Sequence, residues 1–372
     1  MLHQEVAIYE AFLSMYFRPN DFYCIHVDSK ADEKVRQAAE SLVKCYSTQT
    51  KNGKIVVLHK NDSFSVRWGG DEMVKADLKC IEKLLQFRND KQVSWRYSMS
   101  MAGSELPLIT YAKLHKTLSE TLGEDDSAIE SFRMPNYQLL HRLTKNAQSN
   151  CTNCASPNNT AHNYWKKQPP LEFLLVNPMN NSLSYTIQIY KGLRSVILSA
   201  KDADFMVNRP VGKQLYKWLD GSHMTEEHFY SSLIRIKVNS ESNLIVQDRY
   251  KSSSELLHGL CIRYTHWYYG VRMGGVTYSR KACFGTFIHA ICNFNVFDLD
   301  KLKEASEKCI IGNKFSLKID SSAVLMHLIN MLSRSFDETG DKYVSKTVKQ
   351  YHNGSEMAFE RNFHARLKQL LN

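Results

Sequence analysis

Residues 1–20, MLHQEVAIYEAFLSMYFRPN, repeat their apolar positions at helical spacing and predict an amphipathic helix. DFYCIHVD (21–28) is a short apolar run ending in Asp28, GKIVVLH (53–59) is a second, and DEMVKADLKCIEKLLQF (71–87) returns to the helical period. This strand and helix alternation predicts an α/β fold with a mixed, mostly parallel central sheet flanked by helices. Such sheets bind ligands beyond the carboxyl ends of their strands, where Asp28 would sit. Residues 146–170, NAQSNCTNCASPNNTAHNYWKKQPP, are rich in Asn, Ser, Thr and Pro and predict a long surface loop between two halves, 1–145 and 171–372. Beyond it the pattern predicts a strand in LRSVILSA (193–200), a helix in VGKQLYKWLDG (211–221) and another opening at MTEEHFYSSL (224–233). No internal repeat is visible.

Composition narrows the class. With 372 residues, 43% of them hydrophobic, the chain can bury one large core or two fused ones, which excludes disordered, collagenous and coiled-coil classes. The formal charge of +10 suits an anionic partner. Lys and Arg are scattered rather than gathered in a stripe, so nucleic acid is not expected. No window approaches the roughly 20 apolar residues that span a bilayer. The nine cysteines are an odd number, so at least one thiol stays unpaired. Glycosylation acceptor triplets begin at Asn61, Asn150, Asn158, Asn180 and Asn353, which tilts the reading towards a secretory lumen.

The chemistry concentrates in MTEEHF. Thr225 reads as an N-cap, and Glu226 and Glu227 fall in the first turn, where the helix dipole favours negative charge. A metal pair would need helical spacing of three or four residues, whereas neighbours point about 100° apart. A cap and a general base are both compatible with the spacing, since a glutamate at a helix N-terminus stays ionised at neutral pH. Asp202-Ala-Asp204 and Asp298-Leu-Asp300 have the D-x-D form of manganese sites, but both look like helix starts and read better as caps. Cys151-x-x-Cys154 lacks a second half for zinc and is read as a loop disulfide or free thiols. FSVRWGGDEM (64–73) sets Trp68 before two glycines, which suits either close backbone approach to a ligand or a plain turn. Neither G-x-x-x-x-G-K-[ST] nor G-x-G-x-x-G occurs.

An ordered set of stretches resembles the core 2 and I-branching β-1,6-N-acetylglucosaminyltransferases, glycosyltransferase family 14. These are FYCIHVDSK (22–30), VKADLKC (74–80), WRYSMSMAGSELPL (95–108), IESFRMP (129–135), WLDGSHMTEEHFYSSL (218–233), HWYYG (266–270), CFGTFIHAICNF (283–294) and GNKF (312–315). The resemblance implies a GT-A-like fold and an inverting transfer of GlcNAc from UDP-GlcNAc to a galactose or N-acetylgalactosamine hydroxyl of an O-glycan. It implies no cofactor and no metal.

Residue by residue, the resemblance makes Glu227 the catalytic base with Glu226 its acidic neighbour on the acceptor side, Glu130 a holder of the acceptor sugar and Trp267 a wall of the acceptor pocket. Strand-end residues His26, Val27 and Asp28 would hold the nucleotide. Lys314 would neutralise the leaving diphosphate. The family's second cation is an arginine, and its position here is His289, which cannot make a bidentate phosphate contact. Arg280, or Lys281 beside it, would substitute. The resemblance also implies disulfides Cys45–Cys80 and Cys283–Cys292. It implies a type II membrane protein of the Golgi lumen whose first strand and anchor precede the point where this chain begins. Two other readings follow from the same residues: a catalytically silent glycan- or partner-binding protein, motivated by His289, and xylosyl transfer, since WGG also resembles the protein xylosyltransferases.

Overall fold

The computed structural model describes residues 2, 4–91, 95–132, 139, 142–143, 172–176, 184–235, 260–268, 270–273, 276–278 and 283–339. In chain order the first part runs α1 (Val6–Tyr16), β1 (Phe22–Ile25), α2 (Glu33–Ser47), β2 (Lys54–Val57), α3 (Glu72–Lys91), β3 (Tyr97–Met99), β4 (Glu105–Pro107) and α4 (Tyr111–Thr121). There follow β5 (Glu172–Val176), β6 (Ser184–Gln188), β7 (Ile197–Ser199), α5 (Ala200–Asn208), α6 (Pro210–Leu219) and α7 (Thr225–Leu233). The last part holds β8 (Cys261–Trp267), β9 (Gly270–Met273), β10 (Val276–Tyr278), β11 (Thr286–Ile288), β12 (Ile291–Asn293), α8 (Leu299–Ala305), β13 (Cys309–Asn313) and α9 (Leu317–Thr339). The chain divides into two compact units, one drawn from residues 1–58, 101–122 and 259–372, the other from 59–100 and 123–258.

In the first unit β1 and β2 pair in parallel, with Ile25 opposite Val57. α1 and α2 cover them through a core that includes Val6, Leu13, Phe17, Ile25, Val27, Ala39, Leu42 and Ile55. α1 is buried on more than one side, so the first helix is an interior element rather than an amphipathic surface one. The carboxylate of Glu5 caps another helix, accepting from Ser316 Oγ and Lys318 N at 3.0 Å each at the start of α9. Asp320 breaks the regular helix in α9 and accepts from the amides of Ser322 and Ala323, as an N-cap does.

A seven-stranded mixed sheet occupies the rest of this unit. β8 is its hub, parallel to β13 and antiparallel to β9 and β12. A disulfide between Cys261 and Cys309 joins β8 to β13 where the two residues face each other in register. Among the described residues the parallel strand pairs are β1–β2 and β8–β13, with a single parallel bridge from Leu2 to Val27. The mixed α/β class and the flanking helices match a GT-A-like fold, but the parallel share is smaller than the strand and helix rhythm predicts, because β8–β9, β9–β10, β11–β12 and β12–β8 all pair antiparallel.

The second unit packs α3, α5, α6 and α7 around Val74, Ile81, Leu85, Leu198, Phe205, Leu215, Phe229 and Leu233. β3 pairs with β7 and β5 with β6, both antiparallel. Single bridges from Ala128 to Ile197 and from Phe132 to Lys191 lay residues 128–132 alongside 191–197.

Two expectations are corrected. Cys45 is free and exposed, and both Cys80 and Cys24 are disulfide-bonded, so the Cys45–Cys80 bridge does not form. The stripe that α2 buries runs through Arg36, Ala39 and Leu42, and Cys45 falls off it towards solvent. Thr225 does not cap α7. Its hydroxyl donates to Ser222 O at 2.9 Å, and Met224 holds the cap position with φ of 58°. Cys283 and Cys292 are bonded, with Cα atoms 6.0 Å apart. Asn61 is exposed in a short 3-10 turn. The loop 146–170, with Cys151 and Cys154, lies outside the described residues, as do Arg280, Lys281, Asn150, Asn158, Asn180 and Asn353.

Both D-x-D pairs serve local structure. Asp202 sits in the first turn of α5 and accepts from Ser127 Oγ at 2.6 Å. Asp298 accepts from the amides of Phe284, Gly285 and Asn295 and pairs with Lys301 at 3.1 Å. The cysteines nearest Asp298 are Cys283 and Cys292, whose sulfurs are consumed in their disulfide.

In the oxidised, folded chain a maleimide is expected to label Cys45 without denaturant, and mass spectrometry of the digest reads the site. Cys45→Ser is expected to leave the chemical denaturation midpoint nearly unchanged, within about 0.5 kcal/mol. Replacing Cys261 and Cys309 together is expected to cost about 4 kcal/mol, because the bond closes a long loop of the unfolded chain.

Candidate functional site

α7 begins abruptly, and its start is fixed by residues far away in sequence. Met224 adopts the left-handed conformation, which a side chain with a Cβ enters at a cost of about 1–2 kcal/mol. Its N–H donates to Gly69 O at 2.7 Å, and the preceding His223 N–H donates to Arg142 O at 2.6 Å. Gly69 has φ of 70°, and a Cβ there would lie 2.5 Å from His223 Cε1. Only glycine fits this contact. The glycine pair after Trp68 thus serves an approach of backbone to a side chain of the same protein.

This start delivers two adjacent carboxylates into different surroundings. Glu227 forms ion pairs with Arg142 Nη1 and with Lys191 Nζ, the latter at 3.3 Å. Burial would raise its pKa, but Lys191 and Arg142 more than offset that and hold it below the ordinary value. The carboxylate is therefore ionised throughout the neutral range, with reduced basicity. The backbone beside it is also engaged, since Glu227 O accepts from Gly192 N at 2.7 Å and from Ser231 Oγ at 2.7 Å.

Glu226 points about 100° round the helix and meets the interior. It is 5% exposed, and its Oε2 has no hydrogen-bond partner among the described residues. Burial is the main cause that pushes its pKa up to about 7; its own amide and Arg194 pull it down, and Glu227 and Asp77 raise it further. Arg194 is tied to Asp77 at 3.1 Å, which leaves it a weak counter-ion for Glu226. His228, fully buried, places Nδ1 3.0 Å from Tyr190 O, and burial lowers its pKa to about 4. The imidazole is neutral, so Nδ1–H donates to that carbonyl.

Glu130 is 0% exposed and lies in the segment 128–132 that faces residues 191–197. The two segments approach so closely that a Cβ on Gly192 would lie 1.9 Å from Glu130 O. The neighbouring Ser131 donates to Ser231 O of α7 at 2.7 Å and accepts from Arg235 Nε at 2.7 Å. The second unit therefore gathers Glu130, Glu226 and Glu227 on backbone segments bonded to one another.

The first unit holds the other candidates. Trp267 ends β8 opposite Ile291 of β12, and Tyr268 N donates to Ala290 O at 2.8 Å. Lys314 follows β13 directly, and its carbonyl accepts from Phe294 N at 2.9 Å. Trp267 and Lys314 thus lie at the carboxyl ends of two adjacent parallel strands. His289 and Ala290 form the tight turn between β11 and β12, with φ of 50° and 62°. This is the backbone of a two-residue hairpin that favours Asn-Gly, and the His289 side chain is exposed at its tip. His26, Val27 and Asp28 follow β1 and are all buried; Asp28 Oδ1 accepts from Lys30 N at 2.9 Å.

Sequence reasoning missed Arg142, Lys191 and Arg194. Arg142 is 85 residues from Glu227 and sits in no motif, so only the fold makes it a partner.

A family model described as the core-2/I-branching enzyme matches residues 2–303. The chain is similar to β-1,3-galactosyl-O-glycosyl-glycoprotein β-1,6-N-acetylglucosaminyltransferase 3 of Mus musculus, 24% identical over 329 residues, and to that of Homo sapiens, 23% identical over 329 residues. It is also 21% identical over 326 residues to the enzyme of that name, without the numeral, from Bovine herpesvirus 4. Each match covers 87% of this chain, but only 65% of the mouse and human proteins and 64% of the viral one.

The two carboxylates have opposite linkage to pH. Glu227, with a lowered pKa, contributes stability that is lost as pH falls. Glu226, raised from 4.5 to about 7, retains a proton that the unfolded chain releases, so its contribution is full below about pH 4.5 and is lost as pH rises through 7. Glu226→Gln removes that loss. Denaturation midpoints at pH 5 and pH 8 are expected to show the variant gaining on the parent chain at the higher pH, on the order of 1–3 kcal/mol.

Proposed function

The chain belongs to the core-2/I-branching enzyme family, and on that premise we propose that it is an inverting glycosyltransferase that moves GlcNAc from UDP-GlcNAc to a hydroxyl of a galactose or N-acetylgalactosamine in an O-glycan. The observation that carries the proposal is the Glu227 carboxylate, ionised at the start of α7 between Arg142 and Lys191. In the proposed step the acceptor oxygen attacks C1 of the donor sugar, the bond from C1 to the UDP oxygen breaks, and the hydroxyl proton passes to Glu227. A carboxylate already ionised at neutral pH can accept that proton, and its two cations stay close enough to hold it in one position. The linkage follows the similar proteins, whose names specify β-1,6 transfer.

Charge that develops on the departing diphosphate needs a preorganised counter-charge. Lys314 supplies it in this reading, together with Arg280 and His289, and His26 to Asp28 hold the nucleotide. No divalent ion is required when side chains do this work. Glu130 and Trp267 would hold the acceptor sugar. The reading carries with it a Golgi lumen setting, which the Cys261–Cys309 and Cys283–Cys292 bonds and the exposed Asn61 acceptor triplet suit. No helix among the described residues is long and apolar enough to cross a membrane.

A second reading, a glycan-binding protein without turnover, draws on His289. An exposed imidazole at a hairpin tip cannot make the bidentate phosphate contact that an arginine makes.

The test measures UDP release with a Gal-β-1,3-GalNAc acceptor, in EDTA, from UDP-GlcNAc and from UDP-xylose. Release from UDP-GlcNAc is expected, and Glu227→Gln should lower kcat by about 100-fold or more without loss of folding. Lys314→Ala should weaken UDP binding by calorimetry. An unaffected Glu227→Gln variant would overturn the proposed base, and glycan binding without UDP release would select the second reading.

A further inference from the structure

α9 carries apolar residues on two sides. Its inner side buries Ala323, Val324, Leu328 and Leu332 and grips β4 and the residue after it. There His327, kept neutral by burial that lowers its pKa to about 4, donates from Nε2 to Pro107 O at 2.6 Å, and Arg334 Nη1 donates to Leu108 O at 3.2 Å. The outer side faces solvent, yet it is not composed for it. Between Asp320 and Asp337 the exposed positions are Ser322, Met326, Ile329, Asn330, Ser333 and Phe336, and none of them carries a charge, in a chain of which 23% is charged. Met326, Ile329 and Phe336 are 41, 38 and 45% exposed. They fall within about 80° of one another round the helix and mark out about 15 Å of its length. A helix that is apolar on both sides is ordinarily covered on both.

The sequence beyond α9 contains a matching stripe. In AFERNFHARLKQLL (358–371), Phe359, Phe363, Leu367 and Leu370 recur at spacings of four, four and three, the period of one apolar face of a helix about 17 Å long. The same stretch carries Arg361, Arg366 and Lys368 against the single acid Glu360, while α9 ends on the exposed acids Asp337 and Glu338. We propose that residues 358–371 are the occupant of the outer face of α9, docked on it as a helix with their apolar stripe against Met326, Ile329 and Phe336. Residues 340–357 form the tether, and 18 residues reach up to about 60 Å, several times the length of the face. Both partners belong to the same compact unit. A tethered segment acts at an effective concentration in the millimolar range, which a second copy of the chain or a separate protein would have to exceed. The consequence reaches the sheet. α9 grips β4, β4 pairs with β13 and β13 leads to Lys314, so covering α9 braces the strand that carries that lysine. The inference goes beyond the transferase reading and does not depend on it.

Hydrogen exchange read by mass spectrometry on the full chain tests the docking, with the parent compared with Phe363→Asp/Leu367→Asp and with Ile329→Asp. In the parent, the amides of 359–371 are expected to exchange at least about 10-fold more slowly than an unstructured peptide of that sequence. The double variant should remove that protection. Ile329→Asp, 30 or more residues away in sequence, should remove it as well, while the protection of β8 and β13 stays as in the parent and shows that the fold is intact. Unprotected exchange of 359–371 in the parent would overturn the proposal, and so would protection that survives Ile329→Asp. Sedimentation velocity supplies the second arm, with a monomer expected throughout. A dimer that dissociates in Ile329→Asp but persists in Phe363→Asp/Leu367→Asp would give the face to a second copy and overturn the docking. None of these readouts uses UDP-GlcNAc, so loss of the transferase reading leaves the outcome unchanged.

Discussion

Burying two consecutive carboxylates at one helix start is expensive unless each is compensated, and the second unit is organised around that compensation. Glu227 is compensated by charge: Lys191 arrives from the segment before β7, Arg142 from a distant stretch, and both converge on one side chain. Glu226 is compensated by protonation, since Arg194, the cation that draws its pKa down, is engaged with Asp77. Removing either Arg142 or Lys191 leaves the other facing Glu227 with less cationic support. The helix start, the Gly69 and Gly192 contacts and the placement of Glu130 all serve to bring these partners to the same place.

Much of this fold is written in local patterns. The helical period of 71–87 appears as α3, the apolar runs at 21–28 and 53–59 appear as a parallel pair, and the acids of 224–233 do open a helix. What sequence could not supply is anything that depends on residues far apart. Thr225 has the composition of a cap, yet a carbonyl of the preceding turn draws its hydroxyl away and Gly69 receives the Met224 amide instead. Cys45 has a plausible partner in sequence, but helix phase decides which thiols face each other, and the stripe through Ala39 and Leu42 turns it outward. The contrast between Glu226 and Glu227 is of the same kind. Nothing in EE distinguishes them; the 100° between them does.

The first unit solves a different problem, fixing several strand ends at once. β8 and β13 run in parallel with their cysteines bonded at one end, so Trp267 and Lys314 are carried to the other end by strands that cannot slip in register. The β11–β12 hairpin is less settled. Its turn asks for two left-handed residues and receives His289 and Ala290, neither of which enters that conformation freely. A turn so composed spends stability where an Asn-Gly pair would not. An exposed side chain at its tip, free of packing demands, is the usual place for a functional constraint to outweigh a structural one.

The division of the chain also orders its synthesis. One unit uses an uninterrupted stretch but for the short insert at 101–122, while the other draws on both ends and lacks its last strand until Asn313 has been made. At roughly 5–20 residues per second, α1, β1 and β2 would wait tens of seconds for the strand that carries Cys309. During that interval Cys45 already stands exposed on α2, with Cys24 and Cys80 nearby in sequence and not yet protected by a finished core. The thiol without a native partner is therefore the one most able to make a wrong bond early. Under oxidising conditions, undoing such a bond by disulfide isomerisation adds a slow step before the chain reaches its final form.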